Sequence, residues 1–116
     1  MRIGVGVNTR QAMIDAVMLL SQPGKQLDYE RSLCVAGHAP SELVSVFCDD
    51  LFHPKEATFI ASFSSDELKD LAHLYRLLCE ISSSHFSTVA EMLKDMRWRR
   101  VVTVAKEVAA RLAGAS

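Results

Sequence analysis

A mainly α, single-domain bundle of five or six helices is what this chain predicts, and three observations predict it. The first is Phe63-Ser64-Ser65-Asp66-Glu67-Leu68. Ser64 can accept from the backbone N–H of Glu67, and Glu67 can accept from the N–H of Ser64, which makes a capping box. Phe63 and Leu68 flank it as a hydrophobic staple, and Asp66 and Glu67 place negative charge at the positive end of the helix dipole. The second is a pair of apolar stripes at three- and four-residue spacing in the C-terminal half. The third is an ordinary globular composition, 49% apolar and 23% charged over 116 residues, enough to bury one core without disulfide staples.

The elements follow in order. Ile3, Val5 and Val7 alternate with Arg2, Gly4 and Gly6, the period-two pattern of a short N-terminal strand. Ala57 to Phe63, where Thr58, Phe59 and Ile60 favour extended backbone, is its candidate partner in a hairpin. Asn8 or Thr9 then caps a helix with Met13, Ile14, Val17 and Leu20 on one side, and Pro23-Gly24 ends it. Asp28 caps a short helix through Tyr29, Leu33 and Cys34, with Gly37 as terminator.

Pro40 suits the first position of the next helix. Its apolar face is Leu43, Val44, Phe47 and Leu51, and His53-Pro54 closes it. The stapled helix buries Leu68, Leu71, Ala72, Tyr75 and Leu78, with Cys79 beside them, and Ser82-Ser83-Ser84 breaks it. Thr88 and Glu91 form a second capping box for a short helix with Val89, Met92 and Leu93. Asp95 caps the last helix, whose stripe is Trp98, Val101, Val102, Ala105, Val108, Ala109 and Leu112, and Gly114 ends it. No repeat or linker interrupts the pattern, so residues 1–116 read as one helical domain.

Net charge is −1, which fits neither a polyanion mimic nor a generic nucleic-acid binder. The distribution is uneven. Glu42 to Asp70 holds seven acids against Lys55 and Lys69, a local net of −5, and Lys94 to Arg111 holds six bases against Asp95 and Glu107, a local net of +4. Three widely spaced cysteines, Cys34, Cys48 and Cys79, with no C-x-x-C pair, argue against a disulfide framework and for a reducing compartment. No apolar run approaches transmembrane length and no signal-peptide h-region is present, so a cytoplasmic location and no membrane partner are expected.

Four groups invite a chemical reading. Gly4-x-Gly6 before a helix could bring backbone N–H groups to an anion, but the third glycine and a Gly-Lys-Ser/Thr are missing. Asp49, Asp50 and His53 straddle a helix end, and Asp49 and His53 at four apart could face one cation; a third converging ligand is lacking. Cys34 and His38, also four apart, would suit a thiol–imidazole pair if Gly37 did not fall between them. Arg97-Trp98-Arg99-Arg100 resembles a basic and aromatic nucleic-acid patch, yet the spacing puts Trp98 on the apolar stripe and leaves three arginines on the shoulders. None amounts to a catalytic constellation, a metal site or a cofactor site.

From Cys48 onward the order of signals is familiar. Asp49-Asp50-Leu51-Phe52-His53-Pro54 precedes the stapled helix with Leu71 and Tyr75, and a short helix leads to Arg97-Trp98-Arg99-Arg100-Val101-Val102 and an Ala-rich final helix. This resembles small bacterial immunity proteins of polymorphic toxin systems, helical proteins that bind and neutralise a cognate toxin. The resemblance implies a non-enzymatic, bacterial protein whose partner is another protein, a cognate toxin. It carries over no toxin-contact residue.

The acidic segment suits a basic partner on physical grounds, since complementary charge speeds encounter and selects the partner. Caps and solvated helix faces account for Asp66, Glu67 and Asp70. The expected contacts are therefore Glu42, Asp49, Asp50 and Glu56, with Phe52 and His53 nearby. The alternative is a small nucleic-acid-binding regulator using Arg97, Arg99 and Arg100, and the two C-terminal stripes also allow a homodimer.

Overall fold

The computed structural model describes residues 4–33 and 38–114. Within them the chain forms seven α-helices: α1 (Gly4–Leu20), α2 (Pro23–Leu33), α3 (Ala39–Ser45), α4 (Ala57–Ala61), α5 (Ser65–Ser82), α6 (Val89–Met92) and α7 (Met96–Gly114). A π-helical turn, Val46–Leu51, continues α3 without a break and closes with the Phe52 N–H donating to Phe47 O at 2.9 Å. The mainly α bundle predicted above is the fold, and no strand occurs among the described residues.

The N-terminal strand is the main correction. Gly4 to Val7 belong to α1, so the alternation there is a helical segment; Ile3 lies outside the described residues. The proposed partner strand is instead α4 with the bend after it: Phe59 on α4 and Phe63 beyond its end both reach the core, and tertiary burial overrides the extended propensity of Thr58 and Ile60. α4 is also the helix beyond the six that the pattern predicted. Pro23 opens α2 rather than ending α1, using the first-turn position where its missing N–H costs nothing. Asp28, expected as a cap, therefore sits inside α2. Cys34 and Gly37 fall outside the described residues.

Several local signals work as the chemistry requires. Ser64 Oγ accepts from Glu67 N at 3.2 Å while Glu67 Oε1 accepts from Ser64 N at 2.8 Å, the full capping box. At α6 only half of the second box forms. Thr88 Oγ1 accepts from Glu91 N, but the Glu91 carboxylate reaches Ser87 N instead, and Val89 N is taken by Glu30 of α2 at 3.0 Å. Asp95 caps α7 by accepting from Arg97 N at 2.8 Å. His38 caps α3, with Nδ1 on Ser41 and Nε2 donating to Phe86 O at 2.7 Å. Both ring nitrogens are thereby engaged.

α7 packs against α1 and α5 to make the centre of the molecule. Its stripe Trp98, Val101, Val102, Ala105, Val108 and Leu112 is buried against Met13, Val17 and Leu20 of α1 and Leu71, Leu74 and Leu78 of α5. A side chain of this kind taken out of water contributes about 1.5–3 kcal/mol, which makes this stripe the largest single source of cohesion.

Two polar knots lock the helices in register. Trp98 Nε1 donates to Gln26 Oε1 at 3.0 Å, and Gln26 Nε2 donates to Leu19 O and Leu20 O, both at 3.0 Å. Gln26 is fully buried. It thus gives Leu20 O at the end of α1 a donor, adds a second bond at Leu19 O beside that from Gln22 N, and accepts from the indole of α7. The second knot is Arg10 of α1 with Glu67 of α5. Two parallel bonds of 2.7 and 2.8 Å join them, and the guanidinium also donates to Ser62 O and Leu112 O at 3.1 Å each. It lies 5.7 Å from the Phe63 ring centroid, so the staple residue doubles as a cation–π floor.

Candidate functional site

The segment from α3 through the π-helical turn to the start of α4 carries the residues singled out for partner contact. Glu42, Asp49, Asp50 and Glu56 are all exposed. The ion pairs among the described residues are Arg10–Glu67, Arg31–Asp28, Arg97–Asp95 and Arg111–Asp70, so none of these four carboxylates has a cationic partner there. For Asp49 and Asp50 the π-helical turn is one reason for their display, because an i→i−5 turn widens the helix and shifts residues around its axis.

Phe52 differs from its neighbours. It is only 8% exposed, stacked on Tyr75 with centroids 4.6 Å apart, stacked on Phe47 at 5.7 Å and edge-on to Phe59 at 5.6 Å. It supports the segment from beneath and is placed in the core, not on the contact surface where sequence reasoning put it. Two aromatics five apart around an acidic pair give no hint of which ring turns inward until the π-helical register is known.

His53 is half-buried, and its Nε2 donates to Asp50 O at 2.9 Å, which fixes the imidazole against the turn's backbone. Asp50, His53 and Glu56 line one cavity of about 300 Å³ together with Thr9, Ala12 and Phe59. Asp49 lines another, of about 380 Å³, with Cys48, Tyr75 and Cys79. Asp49 and His53 therefore face different cavities, and the shared-cation geometry considered for them does not form. Among the described residues no group of three or more His, Cys, Asp or Glu is arranged to hold a metal ion.

Glu42 and Asp50 act together electrostatically on Tyr29 of α2. Burial first, and then the negative charge of Glu42 and of Asp50, raise the Tyr29 phenol above its ordinary value.

The arginines of the alternative site are partly committed within the fold. Arg97 Nη2 bonds Asp95 at 3.1 Å and Ser84 Oγ at 2.8 Å, and its Nε bonds Asp95 at 3.2 Å. Arg99 Nε donates to Leu93 O at 3.2 Å. Arg100 is exposed. Trp98, whose aromatic ring would complete a stacking platform, is fully buried.

Sequence reasoning missed Arg10, Gln26 and the approach of Cys48 to Cys79. All three depend on pairs far apart in the chain. Gln26 lay between the expected end of one helix at Pro23-Gly24 and the expected cap of the next at Asp28, so no periodic signal marked it as inward-facing. No helix among the described residues is long and apolar enough to cross a membrane. Comparison with family models, with curated proteins and with solved structures finds no match to this chain.

Proposed function

We propose that this protein acts without catalysis, by binding another protein through the acidic segment Glu42–Glu56, and that neutralising a basic toxin domain in the bacterial cytoplasm is the concrete form of that role. The observation that supports the reading is the set of four exposed carboxylates with no cationic partner among the described residues. Unpaired surface acids cost little in stability, yet they set encounter rate and partner choice. The buried Phe47, Phe52 and Phe59 cluster holds the segment rigid from below, so a partner meets a preorganised surface and little ordering entropy is lost on binding.

The nucleic-acid alternative has less support, since Arg97 and Arg99 already make intramolecular bonds and Trp98 is unavailable for stacking. Affinity capture from the lysate of the protein's own host tests the choice, run with the native chain and with a Glu42→Lys/Asp49→Lys/Asp50→Lys/Glu56→Lys variant. The expected result is a stoichiometric protein partner retained by the native chain and lost with the variant. Equal retention by both, or elution of nucleic acid that an Arg97→Ala/Arg99→Ala/Arg100→Ala variant no longer binds, would overturn it.

A further inference from the structure

Cys48 on the π-helical turn and Cys79 on α5 are brought together by the same packing that buries Phe52. The stacked rings of Phe52 and Tyr75, 4.6 Å apart, form one rung between the two elements. Four residues before Phe52 is Cys48, and four residues after Tyr75 is Cys79. Each cysteine thus lies four residues from that ring pair, Cys48 on the π-helical turn and Cys79 on α5. Cys48 and Cys79 both line the cavity of about 380 Å³ beside Tyr75, and Cys79 lies close enough to Cys48 to act on its thiol. Both are free thiols, Cys48 half-buried and Cys79 exposed.

We propose that Cys48 and Cys79 are a redox pair that closes reversibly to an intramolecular disulfide by exchange with a low-molecular-weight disulfide. The unequal burial assigns an order to the steps. Cys79, open to solvent, attacks one sulfur of the small disulfide as a thiolate. That S–S bond breaks, one small thiolate leaves, and Cys79 carries the other half as a mixed disulfide. Cys48 then gives its proton to water or buffer and attacks the Cys79 sulfur. The second small thiolate leaves, and the Cys48–Cys79 bond forms. Two protein thiols have been oxidised and one small disulfide has been reduced to two thiols, so electrons and protons balance.

Cys48 is suited to resolving and not to initiating. Burial first, then the negative charge of Cys79 and of Asp49, push its thiol up to about 12, which keeps it protonated while Cys79 is free. The resulting bond would tie the π-helical turn to α5 and fix one wall of the cavity. It would cross-link the chain around Asp49, Asp50 and Glu56, whatever those acids bind.

The test is to incubate the reduced full-length protein with oxidised glutathione, trap remaining thiols by alkylation and map the peptides by mass spectrometry. The expected product is a peptide pair joined through Cys48 and Cys79, a protein lighter by two hydrogens, and a melting temperature raised by several degrees that dithiothreitol returns to its starting value. A Cys34→Ser variant should give the same product, and a Cys48→Ser variant should stop at a glutathione adduct on Cys79. A native chain that also stops at that adduct would overturn the proposal. So would cross-links confined to Cys34 or to pairs of molecules.

Discussion

Arg10 and Glu67 meet in a two-pronged ion pair that joins α1 to the capping box of α5, with Glu67 Oε1 shared between the guanidinium at 2.7 Å and the Ser64 backbone N–H at 2.8 Å. One carboxylate therefore serves a local purpose, starting α5, and a long-range one, holding α1 against it. The Glu67 side chain is 9% exposed and that of Arg10 27%. The pair is dry enough for its loss to be felt and wet enough at the Arg10 end to avoid the full desolvation cost of a buried charge.

Removing either partner strands the other. Arg10→Met leaves the Glu67 carboxylate with only its cap bonds and removes the Arg10 bonds to Ser62 O and Leu112 O, so a loss of about 2–4 kcal/mol is expected. Chemical denaturation should show it as a lower midpoint with an unchanged slope.

The same pair sets an acid limit on stability. Hydrogen bonds from Arg10 first, with Ser64 assisting against the opposing effect of burial, hold the Glu67 carboxyl at about 2, well below its ordinary value near 4.5. A depressed carboxylate contributes stability that is complete above the unfolded-state value and is lost as pH falls through the folded-state value. Stability should therefore decline as pH drops from about 4.5 toward about 2. Glu67→Gln should flatten that part of the stability-against-pH curve while lowering its plateau at neutral pH, measured by denaturant titration at each pH.

Trp98 and Gln26 supply a second check. Trp98→Phe keeps most of the apolar bulk but removes the indole donor, leaving Gln26 Oε1 buried and unpaired at a cost of about 1–3 kcal/mol. Gln26→Leu removes bonds to Leu19 O, Leu20 O and Trp98 together and should cost at least as much. Thermal melts of the two variants and of the double variant should show non-additive losses, because both residues belong to one network.

Phe52 separates scaffold from surface. Phe52→Ala should lower stability by about 3–5 kcal/mol through the cavity it leaves among Phe47, Phe59 and Tyr75. Glu56→Lys, four residues on and exposed, should change stability by no more than about 0.5 kcal/mol. Equal losses from the two substitutions would show that Glu56 is part of the packing and not a surface charge.

The contrast between the two halves of the chain has a physical reason. α5 and α7 were legible because their signals are local: a cap, a staple and a 3.6-residue stripe, each confined to a few residues. α1 was misjudged at its start because five residues of alternating glycine and β-branched side chains imitate a strand, while the helix there is imposed by the longer element it continues into. Pro23 carried an ambiguous signal, since the same residue that cannot continue one helix is well suited to begin the next. The acidic segment was legible as a run of charge. Which residues turn outward depended on the π-helical register after Ser45, and that register is decided by packing of Phe47 and Phe52.

The central claim is that the carboxylates of the Glu42–Glu56 segment themselves meet the partner. The measurement that tests it most directly is the association rate of the captured partner with the native chain and with the four-fold charge-reversed variant, each at low and at physiological ionic strength. The account predicts fast association for the native chain that slows as salt rises, and a variant that associates at least ten-fold more slowly, about the low end of what electrostatic steering provides. A rate indifferent to salt and unchanged by charge reversal would contradict it, and would move the binding surface elsewhere on the bundle.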